Sequence, residues 1–323
     1  MNIDMIEAAA LRIKGHARRT PLLSSPFLDD IAQRRVFVKA EALQHTGSFK
    51  FRGGWSAVSA LTEDQRNQGV IAFSSGNHAQ GVAAAASAHG VKAVIVMPAD
   101  APAVKIDNTR ALGAQVVLYD RAGGESREEA AEPFTKAGMI LIRPYDDEYV
   151  IAGQGTTGLE IAEQAAEQGV EAAEVLVCAG GGGLSAGIAL ALEAKAPQMT
   201  VRSCEPEGFD DMRISLSTGQ ITAHNSPASG LCDAILTPQP GNLTFPILHR
   251  LAGQGIAVTD DEAMRAMALA FNRLKLVLEP GGAVSLAAAL FHGDALNEDT
   301  TIAVTTGGNV DPALFAKVLQ TYG

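Results

Sequence analysis

One lysine stands among small and aromatic residues in the segment TGSFKFRGG (46–54). Apolar neighbours remove water from an ammonium group and lower its pKa, so that a fraction becomes the free amine that attacks a carbonyl carbon. Lys50 is therefore a candidate nucleophile. The ordinary alternative is a solvated lysine on a loop, which is what most lysines are.

Four consecutive glycines, Gly180–Gly183, stand between a predicted strand and a predicted helix. Bare backbone amides at a helix N-terminus form a cradle for phosphate. Four glycines are entropically costly in a simple turn, which favours the phosphate site over a structural role. Leu184 and Ser185 follow the glycines, and no lysine stands in the Walker position, which argues against a nucleoside triphosphate.

Two further loops follow predicted strands. The loop Ser74–His78 offers backbone amides for a carboxylate, together with the neutral donor Asn77. The hydroxyl of Ser75 could shuttle a proton or merely cap the following helix. The loop 305–309 presents the Thr306 hydroxyl to a ligand or forms only a turn.

Short apolar strands alternate with helices along the chain. The strands are predicted at 36–39, 70–73, 93–97, 115–119, 139–142, 175–179, 200–204 and 301–305, and helices at 4–16, 54–67 and 153–168 are among those between them. This alternation predicts an α/β protein with two open, twisted, parallel-sheet domains covered by helices. We predict a large domain from residues 1–51 and 147–323 and a small domain, 52–146, inserted into it.

Composition narrows the class of protein. The formal net charge of −11 argues against nucleic acid as a partner, because phosphate backbones bind basic surfaces. The three cysteines, Cys178, Cys204 and Cys232, are far apart and odd in number, which predicts buried thiols in a reducing compartment. No signal peptide is apparent at residues 1–4, and no apolar run has the length of a membrane span. We therefore expect a cytoplasmic protein.

Five motifs occur in an order that resembles the pyridoxal-phosphate (PLP) serine/threonine dehydratase and serine racemase family, which includes 3-hydroxyaspartate ammonia-lyases. They are Ser48–Gly53, Ser74–Gly81, Ala152–Thr156, Gly180–Gly183 and Thr306–Asn309. The resemblance covers nearly the whole chain. It implies the tryptophan-synthase-β-like fold of that family, with PLP in the cleft between two domains, and a homodimer.

The same resemblance implies a role for each cofactor-binding residue. Lys50 would form an imine with PLP, beside the ring of Phe49, and Asn77 would bond the 3′-hydroxyl. Thr306 would face the pyridine nitrogen, which a neutral hydroxyl leaves largely unprotonated. The remaining contacts fall to the phosphate loop and the ring surroundings, namely Gly180, Gly181, Gly182, Gly183, Leu184 and Gly230.

The resemblance also implies how substrate binds and reacts. The substrate carboxylate would lie on Ser74, Ser75, Gly76, Asn77 and His78. The Lys50 amine would remove the α-proton, and the β-hydroxyl would leave as water, which yields a 2-oxo acid and ammonia. Reprotonation of the α-carbon by Ser75 would instead give an amino-acid racemase, which is the alternative within the family.

The substrate stays open between serine, threonine and 3-hydroxyaspartate. Arg127 matches a racemase position that approaches dicarboxylate ligands, and an arginine can bind a second carboxylate with two hydrogen bonds. The ordinary alternative is an exposed arginine paired with a neighbouring glutamate.

A metal site is implied at Glu205, the carbonyl of Phe209, and Asp211. Two carboxylates and a carbonyl suit a hard cation such as Mg²⁺, Mn²⁺ or Ca²⁺. The ordinary alternative is an acidic helix start at Asp210 and Asp211.

A nicotinamide-dependent oxidoreductase is the alternative from another class. Rossmann folds carry an acidic residue about 20 positions beyond the glycine loop, where it holds a ribose. Glu205 stands near that spacing, although Ser185 occupies the position of the third glycine.

Overall fold

The computed structural model of the chain describes residues 1–74, 76–101, 103–120, 123–224 and 230–323. Its strands are β1 (Leu22–Ser24), β2 (Arg35–Ala40), β3 (Val70–Phe73), β4 (Ala93–Pro98), β5 (Gln115–Tyr119), β6 (Ile140–Leu141), β7 (Ala173–Cys178), β8 (Met199–Pro206), β9 (Ile256–Val258) and β10 (Thr300–Thr305).

The helices are α1 (Ile3–Ile13), α2 (Pro26–Ala32), α3 (Lys50–Ser59), α4 (Glu63–Gln68), α5 (Asn77–Ala88), α6 (Ala103–Ala111), α7 (Arg127–Lys136), α8 (Glu148–Glu167), α9 (Gly183–Lys195), α10 (Asp211–Thr218), α11 (Thr244–Leu251), α12 (Asp260–Leu274), α13 (Pro280–Phe291) and α14 (Pro312–Tyr322). None of the helices in the described ranges is both long enough and apolar enough to cross a membrane.

The strands form two separate sheets. The larger has the order β1-β2-β10-β7-β8-β9, in which only the β1–β2 pair is antiparallel. The smaller has the order β5-β4-β3-β6 and is parallel throughout. Every residue of β4, β7 and β10 is buried, as parallel strands with helices on both faces require. The predicted α/β fold with two parallel-sheet domains is confirmed.

The predicted division at 51/52 and 146/147 stays a prediction of domain boundaries. We propose it because β1 and β2 pair within the sheet of β7–β10, whereas β3–β6 form a sheet of their own. The chain would then cross between the two domains next to Lys50 and again near Asp147.

Two predicted helices differ from the structure in where a helix begins, and in both cases an N-terminal capping residue sets the start. The single helix predicted at 54–67 is two helices, α3 and α4. The chain breaks because Thr62 and Gln65 form a reciprocal capping box that begins α4. Helix α8 begins at Glu148 rather than at residue 153, because the Asp147 side chain accepts from the first backbone amides of the helix.

Helix α3, which begins at Lys50, packs closely against α5. A Cβ atom on Gly54 would lie 2.8 Å from the carbonyl carbon of Gly81, and one on Gly81 would lie 2.7 Å from the carbonyl oxygen of Lys50. Only glycine allows the two backbones to approach this far. The contact fixes Lys50 relative to the loop that precedes α5.

Candidate active site

A cavity of about 300 Å³ opens where loops from the two sheets face each other. Its walls come from the carboxyl ends of parallel strands, where ligands bind in open α/β sheets. Thirteen of the predicted site residues line it, and they come from segments far apart in sequence: Phe49, Lys50, Ser74, Gly76, Asn77, His78, Arg127, Gly180, Gly181, Gly182, Gly183, Leu184 and Thr306.

Lys50 is the first residue of α3, and its side chain points into the cavity. Its Nζ donates to the carbonyl oxygen of Pro144 at 2.8 Å and lies 5.0 Å from the ring centroid of Phe49. Burial lowers the pKa of Lys50 to about 8, so a fraction of the side chain is the free amine near neutral pH. The segment is tied to the loop after β10, because the Phe49 amide donates to the carbonyl of Thr306.

The glycine loop is bare because its neighbours leave no room for side chains. A Cβ atom on Gly181 would lie 2.2 Å from Cδ2 of Tyr145, and one on Gly183 would lie 2.8 Å from Oε1 of Gln154. Gly182 has a φ of 87°, in the left-handed region that glycine adopts without strain. The loop leads directly into the N-terminus of α9.

Buried polar atoms beside this loop have no partner within the described protein. Both amide atoms of Gln154 and the Oγ of Ser185 are buried without a hydrogen bond to any described residue, and both side chains line the cavity. Such orphaned groups indicate a ligand that completes them. A phosphate could accept from Nε2 of Gln154, from the Ser185 hydroxyl and from the α9 amides, so the residues present fit PLP.

His78 is neutral and its tautomer is fixed. Its ring Nε2 lies 2.9 Å from the carbonyl oxygen of Ile142, which can only accept, so Nε2 carries the proton. Burial and the nearby Lys50 lower the pKa of His78 to about 3. The other ring nitrogen, Nδ1, is buried and has no partner in the described part of the chain. Ser75, predicted to bind substrate and to move a proton, lies outside the described residues.

Asn77 has two partners that sequence reasoning missed. Its Nδ2 donates to Oε1 of Glu279 at 2.5 Å, and its Oδ1 accepts from Nδ2 of Asn309 at 2.7 Å. Glu279 lines the cavity, and burial raises its pKa to about 7. The available signal was an acidic residue directly before Pro280 at a helix start.

Thr306 follows β10 and is 3% exposed. Thr306 and Cys178 both line the cavity, and burial raises the pKa of the Cys178 thiol, whose sulfur accepts from the Ser285 amide at 3.3 Å. All three cysteines are free and buried, as predicted.

Charged side chains mark the rim of the cavity. Arg127 donates from Nε to Glu128 at 2.8 Å, and its guanidinium carbon lies 5.6 Å from the ring centroid of Phe73. It therefore both pairs with a glutamate and lines the cavity. Lys105 pairs with Asp233 at 3.3 Å, and both of these also line the cavity.

Four predicted residues lie outside the cavity lining. Gly230 is exposed. Glu205 and Asp211 are buried, and the carboxylate of Glu205 accepts from the backbone amides of Met212 and Arg213. Oδ2 of Asp211 is buried and has no described partner. The carbonyl of Phe209 belongs to the same predicted set.

The described residues contain no cluster of three His, Cys, Asp or Glu side chains that could hold a metal. The predicted set uses only two such side chains and a carbonyl. Burial and the neighbouring Asp211 raise the pKa of Glu205 well above its usual range. Two buried carboxyl groups, one with an orphaned oxygen, fit a hard cation. Glu205 lies outside the lining of the cavity beside the glycine loop, so it does not suit a contact with a ribose bound there.

Comparison with known proteins identifies the family of the chain. The family model described as "Pyridoxal-phosphate dependent enzyme" matches residues 13–307. An L-threo-3-hydroxyaspartate ammonia-lyase of Pseudomonas sp. is 42% identical over 318 residues, which are 98% of each chain. A serine racemase of Schizosaccharomyces pombe is 38% identical over 98% of this chain and 97% of its own.

A solved structure shares the fold. A threonine deaminase of T.th. superposes with a TM-score of 0.89 at 44% identity, covering 96% of this chain and 99% of that one. With the family model matched along most of its length and the lysine, glycine loop and cleft in place, the chain belongs to the pyridoxal-phosphate-dependent enzymes.

Proposed function

We propose that this enzyme catalyses PLP-dependent β-elimination from a 3-hydroxy amino acid, which releases a 2-oxo acid and ammonia. The observation that carries the proposal is the part-buried Lys50 amine with its lowered pKa, which shares one cavity with the glycine loop and Asn77. The relatives named as ammonia-lyase and threonine deaminase support the same class of reaction.

PLP, when bound, supplies an electron sink for the carbanion that forms at the α-carbon. The protein supplies binding and proton transfer. The Gly180–Gly183 loop and the α9 N-terminus would bind its phosphate, and Phe49 would pack against its ring. Thr306 would offer a neutral hydroxyl to the pyridine nitrogen.

Lys50 would remove the α-proton as a general base and would then donate a proton as a general acid. A free amine with a pKa near the working pH serves as both base and acid, and burial lowers the pKa of Lys50 to about 8. The carbonyl of Pro144 holds the amine when the lysine is unattached. Backbone amides at Gly76, Asn77 and His78 would bind the substrate carboxylate at the α5 N-terminus.

We propose 3-hydroxyaspartate as the preferred substrate, with serine and threonine as weaker ones. Of the three guanidinium nitrogens of Arg127, only Nε has a hydrogen-bond partner among the described residues. The two terminal nitrogens can therefore bind a second carboxylate. The relative named for L-threo-3-hydroxyaspartate supports this choice.

The test measures 2-oxo acid release from L-serine, L-threonine and the 3-hydroxyaspartate stereoisomers. We expect kcat/KM for hydroxyaspartate to fall at least about tenfold in Arg127→Gln, with little change for serine. Arg110→Gln is the matched control, since Arg110 is also exposed and paired with a neighbouring acid. Equal losses for all substrates would contradict the role of Arg127. Lys50→Ala should abolish turnover, and retained activity would overturn the proposed function.

Racemisation is the second candidate, which the serine racemase relative favours. Chiral analysis of amino acid recovered after partial turnover decides it. Unchanged configuration excludes racemisation, whereas inversion faster than elimination would make racemisation the main reaction.

We further propose that Mg²⁺, Mn²⁺ or Ca²⁺ binds Glu205, Asp211 and the carbonyl of Phe209, where it would stabilise the fold beside the glycine loop. The apoprotein should melt at higher temperature with added Mg²⁺, and Asp211→Asn should remove that shift. An identical Mg²⁺ response in the variant would contradict the site. A cytoplasmic homodimer completes the proposal, and sedimentation of the purified protein tests the dimer.

A further inference from the structure

We propose that Glu279 and Asn309 are positioning residues, which hold Asn77 so that its amide nitrogen faces the 3′-oxygen of the cofactor. This inference rests on the proposed placement of that oxygen at Asn77. It gives a role to the buried Glu279 and the half-buried Asn309, which the elimination chemistry does not otherwise use.

The direction of the hydrogen bonds is fixed at one end by a backbone carbonyl. Nδ2 of Asn309 donates to the carbonyl oxygen of Thr46 at 2.9 Å and to Oδ1 of Asn77 at 2.7 Å. A carbonyl only accepts, so the nitrogen of Asn309 must face Thr46 and both of its hydrogens are used. Asn77 must therefore turn its oxygen toward Asn309 and its nitrogen the other way.

Glu279 fixes the other end. Nδ2 of Asn77 donates one hydrogen to Oε1 of Glu279 at 2.5 Å, which leaves one hydrogen on that nitrogen. Asn77 and Glu279 both line the cavity. An oxygen that accepts the remaining hydrogen is stabilised in its deprotonated form. This hydrogen bond from Asn77 thus favours the negatively charged form of the 3′-oxygen, an effect separate from that of the charge on Glu279.

Glu279 is mostly ionised only above its raised pKa of about 7, and its buried surroundings strengthen the effect of that charge once it is present. Glu279 is only 3% exposed, and its backbone amide donates to the carbonyl oxygen of Gly307 at 3.0 Å. The charged groups acting on it are Asp233 from the large-sheet side and Lys105 from α6. An ionised Glu279 makes the bond to Asn77 charge-assisted and places a negative charge one side chain away from the cofactor. That negative charge would favour the protonated form of the Lys50 nitrogen when the lysine is joined to the cofactor, and would so raise the pKa of that nitrogen.

Two variants separate charge from orientation. Glu279→Gln keeps an oxygen that can accept from Asn77 and removes the charge. Asn309→Leu removes the group that fixes the direction of the network. Glu171→Gln is the matched control, since Glu171 is an exposed acid away from the cavity.

The measurements are the pH titration of the visible absorption band of the PLP-loaded protein without substrate, and the Kd for PLP. In Glu279→Gln we expect the midpoint of the titration to fall by about one pH unit, because a nearby negative charge is lost. In Asn309→Leu we expect PLP to bind about tenfold more weakly, because Asn77 is no longer held. The control should match the wild type in both.

Two outcomes overturn the inference. One is that Glu279→Gln and Asn309→Leu both fold and both keep the wild-type titration midpoint and the wild-type Kd for PLP, even if turnover falls. The other is an unmoved midpoint in the isosteric Glu279→Gln variant when Asn309→Leu fails to fold. A wild-type protein that forms no lysine-linked visible band with PLP would instead overturn the proposed function itself.

Discussion

Lys50 combines two properties that a catalytic amine needs, a fixed position and a lowered pKa. The carbonyl of Pro144 and the ring of Phe49 hold the Nζ atom. Burial makes the ammonium form less favourable and brings the pKa to about 8. The sequence predicted this residue because its apolar neighbours are adjacent in the chain. It could not predict Pro144, which lies 94 residues away.

The lowered pKa of Lys50 predicts how fast the apoprotein takes up PLP. Only the free amine attacks an aldehyde, so the rate should rise about tenfold per pH unit below pH 8 and level off above it. Stopped-flow absorbance of the new visible band measures this rate. A plateau reached only near pH 10.5, the ordinary lysine value, would show that burial does not act on Lys50.

Two residues beyond Lys50, Arg52 joins three elements through a buried charge cluster. Arg52 donates to Glu41, which follows β2, and to Glu160 on α8, at distances of 2.7–2.8 Å. Arg52 and Glu41 are both 0% exposed. Although burial raises the pKa of Glu41, the charge and hydrogen bonds of Arg52 hold it below the usual value.

Breaking this cluster should destabilise the protein strongly. Glu41→Gln leaves part of a buried positive charge unpaired, and we expect a loss of about 3–5 kcal/mol in the free energy of unfolding of the apoprotein. Glu132→Gln, which removes an exposed pair with Lys136, should cost less than about 1 kcal/mol. Urea denaturation followed by circular dichroism measures both.

The sign of the pH dependence follows from the lowered pKa of Glu41. The carboxylate contributes stability that is fully present above its unfolded-state pKa, near 4.5, and is lost as the pH falls through the lower folded-state value. The difference between wild type and Glu41→Gln should therefore be constant above about pH 5.5 and shrink in acid. A difference that grows in acid would contradict the assignment.

The ends of helices and strands depend on single side chains, which a periodicity of apolar residues does not detect. The strands β3, β4 and β10 were predicted because all their residues are apolar or β-branched. The break after α3 depends on one capping box at Thr62 and Gln65, which a periodicity of apolar residues does not register. The short strand β9 was missed because three residues carry too little pattern.

The glycine loop is shaped by the neighbour that crosses it, Tyr145. Gly181→Ala would place a methyl group 2.2 Å from Cδ2 of that ring, so the ring or the loop must move. We expect PLP affinity to fall at least about tenfold, because the loop proposed to bind the phosphate is displaced. Gly293→Ala is the control, since the nearest atom to its Cβ would be the flexible end of Arg34 at 3.4 Å.

A double variant shows whether the ring is the cause. Gly181→Ala combined with Tyr145→Ala should recover part of the lost affinity, because the clash disappears. Equilibrium dialysis with PLP measures all three proteins. Losses that simply add would mean that the two residues act independently.

For the whole molecule, the sequence predicted two sheets with a cleft but not the contacts that cross it. Each of the five motifs contributes at least one residue to the lining of the cavity, although Ala152–Thr156 lies within helix α8 and is not a loop. The pair Asn77–Glu279 spans 202 residues and the pair Asn77–Asn309 spans 232, so only the fold brings them together. Local pattern carries no information about such partners.

A charge pair at the mouth of the cleft joins the two halves of the molecule. Lys105 on α6 belongs to the side of the small sheet, and Asp233 belongs to the side of the large sheet. Nζ of Lys105 lies 3.3 Å from Oδ2 of Asp233, which is mostly exposed. The pair therefore contributes little to the free energy of unfolding. Because both residues line the cavity, we expect the pair to hold the two sides of the cleft together.

Reversing one charge should loosen the cleft and raise KM. Asp233→Lys puts two positive charges together, and we expect KM to rise about fivefold at low salt and less in about 0.5 M salt, where screening is strong. The double reversal Lys105→Asp/Asp233→Lys should restore most of the wild-type KM, because the pair re-forms with opposite polarity. If the double variant is worse than the single, Lys105 itself binds substrate, and the cleft closes without help from the pair.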